Sequence, residues 1–361
     1  MKQSRSTIGS ASLYAAMVVA SVTHDAAAQD ADQAARGDTG VLEAVIVTAE
    51  RREQKLHETP TTVAVVDPEL LERSVRKIND LAGFAPGVTI ATRTYTPAIF
   101  IRGVGSTRPI GNQSVGIYLD DVYIARPFGA GLYGSLPDTQ RIEVLSGPQG
   151  TLYGKNTGGG ALKLVTVPPP DENTAWISVA AGDKTNEARA YGSAVLVPDV
   201  LNGSLAFAHN RIDDDIENVT LGKDVNGLSS QQARGLLKWT PSDTLKALLS
   251  VDGMKSETDY VLSSVIRADR KVRRTFSDID PTQDYEGWGI SGTVEKLLGE
   301  HLQLKSITAF RDASMIMPTD SDGEPGYLSG FVQDLDMRHL LPRKVRSLSL
   351  ELDQQRVLHH R

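Results

Sequence analysis

The chain has 361 residues, with 38 Lys or Arg and 45 Asp or Glu, so its formal net charge is −7. That balance argues against a nucleic-acid surface. The absence of cysteine excludes a disulfide framework and a thiolate metal site. The 32 glycines, the 17 prolines and a hydrophobic fraction of 40% are typical of many short strands joined by turns.

The first 28 residues are typical of an export signal. Lys2 and Arg5 carry positive charge, residues 11–22 are mostly apolar, and three consecutive alanines end at Ala28. This pattern predicts cleavage between Ala28 and Gln29. The apolar run is too short to cross a membrane as a helix, so we expect the mature chain in the periplasm, the outer membrane or the medium.

A flexible arm is predicted at residues 29–50. It is polar except for residues 42–49, which read LEAVIVTA. An isolated extended apolar patch cannot fold alone, and sheet edges capture such peptides by strand addition. Two interpretations stay open for this patch: a peptide that a partner protein captures, or the first strand of the next domain.

Residues 51–170 mix short helices with short strands and predict a compact α/β unit. Asp67 and Pro68 predict a helix start, because Asp caps free amides and Pro loses no bond at the first helical position. A hairpin is predicted at Val115–Ile124, with its turn at Leu119–Asp121. Further strands are predicted at Val88–Ala91, Ile99–Arg102 and Gln140–Leu145.

Residues 141–160 read RIEVLSGPQGTLYGKNTGGG and predict a series of tight turns. A nucleotide-binding loop needs glycine where Gln149 lies and Ser or Thr where Asn156 lies. The dinucleotide fingerprint after Gly103 and Gly105 fails at Arg108. A nucleotide-binding enzyme is therefore a weak hypothesis, and a plain surface loop stays open.

Beyond three prolines at residues 168–170 the pattern predicts strands only. Eight are predicted: Ala175–Ala181, Glu187–Val197, Ser204–Ile212, Gln231–Trp239, Leu245–Val251, Tyr285–Leu297, Leu302–Arg311 and Val345–Leu352. Short turns at 198–203, 240–244 and 298–301 alternate with long polar connections at 213–230, 252–284 and 312–344. This asymmetry is typical of an outer-membrane β-barrel, with a soluble β-sandwich as the alternative.

Several ordered segments resemble the TonB-dependent outer-membrane receptors. Residues 42–49 resemble the TonB box, residues 101–105 (IRGVG) a plug motif, residues 115–124 the plug's strand pair, and residues 141–161 its closing motif. The resemblance implies an α+β plug domain at residues 51–170, followed at residues 171–352 by antiparallel transmembrane β-barrel strands.

The resemblance also implies the site residues. The TonB box would comprise Glu43, Ala44, Val45, Ile46, Val47, Thr48 and Ala49. The plug motif would comprise Arg102, Gly103, Asp120, Arg141, Glu143, Gly147, Pro148, Gly150, Gly154, Asn156, Gly159 and Gly160. We expect the glycines to let the backbone run close to the barrel wall. Ser146 stands where the family usually has arginine, which puts a charged plug–wall contact there in doubt.

By resemblance, the protein lies in the outer membrane of a Gram-negative bacterium and takes up a scarce ligand. A ferric siderophore is the commonest ligand of the family; vitamin B12, other metal chelates and oligosaccharides stay open. The implied partners are TonB with its inner-membrane energy-coupling complex, outer-membrane lipid and the barrel-assembly machinery. No nucleic acid, cofactor, metal ligand or catalytic residue is predicted.

The strand region after the plug is short for this family. At ~10 residues per strand it supplies about eight strands, whereas the receptors it resembles have about 22. We therefore expect a truncated receptor in which residues 353–361 are an atypical tail. A periplasmic fragment that transports nothing is the main alternative. A signalling receptor is disfavoured, because that class needs a folded domain before the box.

Overall fold

The computed structural model describes residues 46–49, 51, 54–66, 78–91, 98–106, 114–124, 138–259, 274–299, 302–320, 330–336 and 345–352. All of these lie in one compact unit, residues 44–361. The predicted signal segment, the arm as far as Val45 and the tail at 353–361 fall outside the described residues. Within the described ranges, no helix is both long and apolar enough to cross a membrane.

The first part of the described chain folds around a five-stranded sheet. Its strands and α-helix are β1 (Ile46–Val47), β2 (Gln54–Lys55), β3 (Val63–Val66), β4 (Val88–Ala91), β5 (Ala98–Ile101), β6 (Val104–Gly105), β7 (Val115–Leu119), β8 (Val122–Ile124), β9 (Thr139–Ser146), α1 (Gly150–Tyr153) and β10 (Gly160–Thr166). The order of strands in the five-stranded sheet is β3-β9-β10-β7-β8. Strand β10 is parallel to β7 and antiparallel to β9. Both faces of this sheet are covered, so every residue of β7 is buried.

The predicted helix after Asp67 begins outside the described residues, and its described end, Ile78–Gly83, is a 3-10 helix. The segment Gly150–Tyr153 was predicted as turns but forms a short α-helix. Gly154 ends it with a positive φ of 78°, and its N–H donates to the carbonyl of Gly150 at 3.0 Å. The sequence therefore missed this short helix within the glycine-rich segment.

The predicted hairpin at Val115–Ile124 is confirmed, with a two-residue turn. Asp120 and Asp121 have φ values of 45° and 69°. Two positive φ values in succession match the right-handed twist of the flanking strands, and aspartate tolerates them better than most residues. Each of the two carboxylates finds a partner on β10, described below.

The second part is an antiparallel sheet of long strands, with a small three-stranded sheet (β14, β15, β18) within two of its connections. The strands are β11 (Thr174–Ala181), β12 (Thr185–Val197), β13 (Leu201–Ile212), β14 (Ile216–Asn218), β15 (Lys223–Val225), β16 (Leu228–Ser242), β17 (Leu245–Asp259), β18 (Arg274–Thr275), β19 (Thr282–Leu297), β20 (Leu302–Asp320), β21 (Gly330–Asp336) and β22 (Val345–Leu352). We call this sheet the wall.

The wall has eight neighbouring strand positions, because β21 and β22 share the last one. Residues 330–336 pair with one half of β20 and residues 345–352 with the other half. Strand β21 was not predicted, and the prediction ended β20 at Arg311 instead of Asp320. The Asp and Pro residues there are typical of a loop, yet the neighbouring strands supply the ladder partners, so pairing continues.

One face of the wall is apolar and exposed, and the other is covered. Along β13, Leu205 and Phe207 are exposed, whereas the alternating residues Ser204, Ala206 and Ala208 are buried. On the covered face Tyr285, Ala313 and Met315 belong to the same core cluster as the β7–β10 sheet. An exposed apolar face over a covered interior is the arrangement of a membrane barrel, so the β-sandwich alternative is wrong.

Candidate functional site

The box segment, residues 46–49, is the described part of the predicted TonB box. Ile46 and Val47 pair with Lys55 and Gln54 as a short antiparallel ladder. The side chains of Val47 and Ala49 are fully buried, in a cluster that also contains Tyr118, Leu145, Tyr153 and Ala161. The segment is therefore a strand held against the plug. Residues 43–45 lie outside the described residues.

Side chains of the plug bind the polar groups of Thr48. The Thr48 N–H donates to Glu143 Oε1 at 2.9 Å, and the Thr48 hydroxyl lies 3.1 Å from the same oxygen. Lys163 Nζ donates to the Thr48 carbonyl at 2.9 Å and to its hydroxyl at 2.7 Å. The Tyr153 hydroxyl donates to the Ala49 carbonyl at 2.7 Å. The segment is thus held by hydrogen bonds as well as by packing.

Glu143 and Lys163 face each other across β9 and β10, and each also pairs with a second charge. Arg141 Nε lies 2.8 Å from Glu143 Oε1, and Lys163 Nζ lies 2.7 Å from Asp121 Oδ1. Burial alone would raise the pKa of Asp121, but Lys163 and Lys305 outweigh it and the pKa is lowered. Buried charges without partners would be costly, so this pairing is what permits charge beside an apolar cluster.

Lys305 links this region to the wall. It lies near the start of β20, and its Nζ is 3.3 Å from Asp121 Oδ2 and 3.2 Å from Glu295 Oε1. It also donates to the carbonyl of Arg51, directly beyond the box, at 3.3 Å. Glu295 lies near the end of β19, so both wall residues flank a short connection. The box segment therefore lies at the rim of short connections.

A second group of charges joins plug and wall around a cavity of about 60 Å³. Asp138 pairs with wall residue Arg234 at 2.9 Å, and Arg311 donates to Asp252 on the wall. Burial raises the pKa of Asp138 to about 6. Arg234 opposes this shift, and the negative charges of Asp120 and Asp252 add to it. The cavity is large enough for a few water molecules, so these charges lie beside space that water can fill.

The predicted glycines serve the plug's own packing. Gly160 has a φ of +142°, and a Cβ there would overlap the Leu145 carbonyl oxygen and lie 2.9 Å from Ile101 Cδ1. At Gly159 a Cβ would lie 2.8 Å from the Val104 oxygen. These neighbours belong to the plug, so the expectation that both glycines give the backbone close approach to the barrel wall is wrong.

The other predicted motif residues shape the turns of the plug. Arg102 and Gly103 form the positive-φ turn between β5 and β6, and Gly147, Gly154 and Asn156 also have positive φ. Asp120 accepts from the N–H and the hydroxyl of Thr166 at 2.9 and 2.7 Å. Asn156 Nδ2 donates to the Tyr123 hydroxyl at 3.0 Å. Pro148 precedes α1, and Gly150 is its first residue.

The charged residues of the site that were not predicted are Asp121, Asp138, Lys163, Arg234, Asp252, Glu295, Lys305 and Arg311. The pairs of Asp121 with Lys305 and of Asp138 with Arg234 supply charged contacts between plug and wall away from Ser146. Lys163 interrupts the otherwise apolar run of β10, and this could have indicated a site residue, because a charge at a buried position needs a partner. The partners themselves lie far away in sequence.

An antiparallel wall with an apolar outer face and a separate domain against its inner face defines a plugged outer-membrane barrel. Residues 55–161 match the family described as "TonB-dependent Receptor Plug Domain". Residues 55–161 are thus the plug domain of a TonB-dependent outer-membrane receptor, and barrel strands follow them. The glycine-rich segment lies within the matched plug, which leaves the nucleotide-binding hypothesis without support.

Relatives with similar sequences include a receptor and an outer-membrane protein. The pesticin receptor of Yersinia enterocolitica is 27% identical over 215 residues, which cover 58% of this chain and 31% of the relative. The iron-regulated outer membrane virulence protein of Vibrio cholerae (Classical Ogawa) is 26% identical over 281 residues, covering 72% and 42%. The chain thus spans about a third to two fifths of the length of these relatives.

Solved structures show the same fold. The ferric yersiniabactin uptake receptor FyuA from Yersinia pestis aligns with a TM-score of 0.64 at 22% identity, covering 72% of this chain and 42% of that one. The ferripyoverdine receptor of Pseudomonas aeruginosa aligns with a TM-score of 0.62 at 15% identity, covering 80% and 39%. At these identities the likeness establishes the fold alone.

Proposed function

We propose that this chain is the plug and barrel portion of a receptor that takes up a scarce ligand across the outer membrane, driven by TonB. The observation that supports this most is the position of the box segment. In outer-membrane barrels the short turns face the periplasm and the long loops face outside. Lys305 and Glu295 place the segment at the rim of short connections, where a periplasmic partner can reach it.

The ligand we propose is a ferric siderophore. FyuA is named as a ferric yersiniabactin uptake receptor, and the receptor from Pseudomonas aeruginosa is bound to ferripyoverdine. A vitamin B12 transporter of Vibrio vulnificus is 28% identical over 144 residues, so a corrinoid is the second candidate. Barrel-assembly machinery would insert the wall, and outer-membrane lipid would cover its apolar face.

In this proposal TonB captures the box as an added strand and pulls on the plug. Strand addition uses main-chain hydrogen bonds for affinity and alternate side chains for specificity. The outer membrane holds no ion gradient, so the energy has to come through TonB from its inner-membrane complex. Ligand binding at the outer face would not need TonB to pull on the plug, whereas passage of the ligand through the barrel would.

Replacing Val47 with proline tests this proposal. Proline has no N–H and cannot donate to a strand ladder, so uptake should be abolished while ligand binding persists. The measurement is ⁵⁵Fe-siderophore uptake and binding by cells whose receptor joins this plug to a complete barrel. Val47→Ala, which keeps the N–H, is the matched control and should retain most uptake. Undiminished uptake by Val47→Pro would refute the assignment of the box.

A further inference from the structure

Three charged side chains form a row across the inner face of the wall. Arg234 on β16 and Asp252 on β17 are direct partners in the ladder, so their side chains share one face of the sheet. Arg311 on β20 also donates to Asp252, although β19 lies between their strands. Gly289 on β19 is the ladder partner of both, and a Cβ there would lie 2.9 Å from Arg311 Cζ. The lack of a side chain at Gly289 therefore lets Arg311 cross β19 to reach Asp252.

The row carries more positive than negative charge. It consists of two arginines and one aspartate, and all three line the cavity of about 60 Å³. A buried charge without a partner is costly, so the row needs a further anion. The plug supplies that anion, because Asp138 Oδ1 lies 2.9 Å from Arg234 Nη1 and the Asp138 side chain is only 1% exposed.

The bond between Asp138 and Arg234 leaves a polar atom unused on each side. Arg234 Nε and Asp138 Oδ2 are buried and find no hydrogen-bond partner among the described residues. A guanidinium can donate two parallel N–H bonds to one carboxylate, which is stronger than a single bond. Asp138 also has a φ of 41°, in the left-handed region that costs an L-residue energy. A free carboxylate that is better placed can therefore replace Asp138 at Arg234.

We propose that Arg234, Asp252 and Arg311 form an anion-binding site on the inner wall. Asp138 fills this site while the plug is at rest, and a carboxylate or another oxyanion group of the passing ligand takes its place when the plug moves. This rests on the proposed function, because the plug moves during uptake. One anion replaces another, so the positive row is neutralised before and after the exchange. The site therefore favours an anionic chelate over a neutral ligand.

A small carboxylate tests the site in the full chain in detergent. Asp138→Gly removes the plug's carboxylate, suits the positive φ and leaves space beside the cavity. Formate is the probe, because it presents the same two oxygens. Asp138→Asn is the matched control, since its amide lacks the charge but keeps the shape and leaves no room. Asp171→Ala is a second control, because it removes a mostly exposed carboxylate from Lys238 on the same strand as Arg234.

The measurement is amide hydrogen exchange of β9, which begins directly after residue 138. Loss of the partner of a buried arginine should accelerate this exchange in Asp138→Gly by on the order of 100-fold. Formate should slow it again roughly tenfold once its concentration reaches about ten times the apparent Kd. Sodium chloride at equal concentration should not restore protection, and Asp138→Asn and Asp171→Ala should not respond to formate.

Two results would overturn the site. One is the absence of any response of Asp138→Gly to formate. The other is an equal response to chloride, or an equal response of Asp138→Asn to formate. If Asp138→Gly does not fold, the yield of folded chain with and without formate decides the same question.

Uptake tests the role of the site in passage, in cells whose receptor completes the barrel of this chain. The probes are ⁵⁵Fe-labelled ferric yersiniabactin and ferripyoverdine, the chelates of the two solved receptors above. Arg311→Met removes a positive charge from the row, so it should slow uptake about tenfold while binding at the cell surface persists. Unchanged uptake would overturn the role in passage. No uptake of either chelate by the parent receptor would instead refute ferric-siderophore uptake, and the formate result would stand.

Discussion

Adding one methyl group at Gly160 should open the plug's central sheet. An L-residue at the observed φ of +142° costs about 1–3 kcal/mol in backbone strain. The new Cβ would also overlap the Leu145 carbonyl and press on Ile101, and overpacking of this kind costs about 1–3 kcal/mol. We therefore expect Gly160→Ala to lower the opening free energy of β10 by about 3 kcal/mol.

Amide hydrogen exchange of the full chain measures this directly. A loss of ~3 kcal/mol accelerates exchange in the β10 peptide roughly 150-fold, at 1.4 kcal/mol per factor of ten. The control is Gly158→Ala, two residues earlier in the same glycine run, where an added Cβ meets no atom within 4 Å. If β10 were equally protected in both variants, the close packing of Leu145 and Ile101 around Gly160 would not require glycine, and the reasoning would fail.

Two further predictions concern the charges between plug and wall. The pKa of Asp138 is raised from 3.8 to about 6, so between these pH values the folded chain binds a proton that the unfolded chain lacks. The free energy of unfolding should therefore fall by on the order of 2–3 kcal/mol as pH rises from about 4 to 6. Urea titrations should show this slope weakened in Asp138→Asn, and equal slopes would contradict it. At Gly289 a Cβ would lie 2.9 Å from Arg311 Cζ and 3.0 Å from its Cγ. The Arg311 side chain would have to shift, so alanine should cost about 1 kcal/mol of stability in the same titrations. Gly292→Ala, with no atom within 4 Å, should cost less, and equal losses would refute the crowding argument.

The strands of the fold were predictable where local pattern decides them. Strand Val88–Ala91 has the predicted bounds, and the hairpin at residues 115–124 has the predicted turn, because alternation and turn chemistry are short-range signals. The ends of β17 and β20 were not predictable. Their outward positions include the polar residues Lys255, Glu257 and Ser314, so no continuous apolar face marks these ends, and only the neighbouring strand shows that pairing continues.

The candidate site was predictable as motifs but not as contacts. Residues 46–49 and Glu143 stand out in the sequence separately, yet the bond from Thr48 to Glu143 joins positions 95 residues apart. The contact of Lys305 with Asp121 spans 184 residues. Such pairs depend on how the plug sheet and the wall fold against each other, and no local pattern carries that information.

The central claim is that residues 43–49 are the strand that TonB captures. Since the chain lacks cysteine, single cysteines at residues 43–49 and at the exposed His57 can be tested in cells for disulfide cross-links to cysteines in the periplasmic domain of TonB. Cross-links throughout residues 43–49, strengthened by ligand and absent at His57, are the predicted result. Cross-linking at His57 equal to that in the box, or none in the box, would contradict the account.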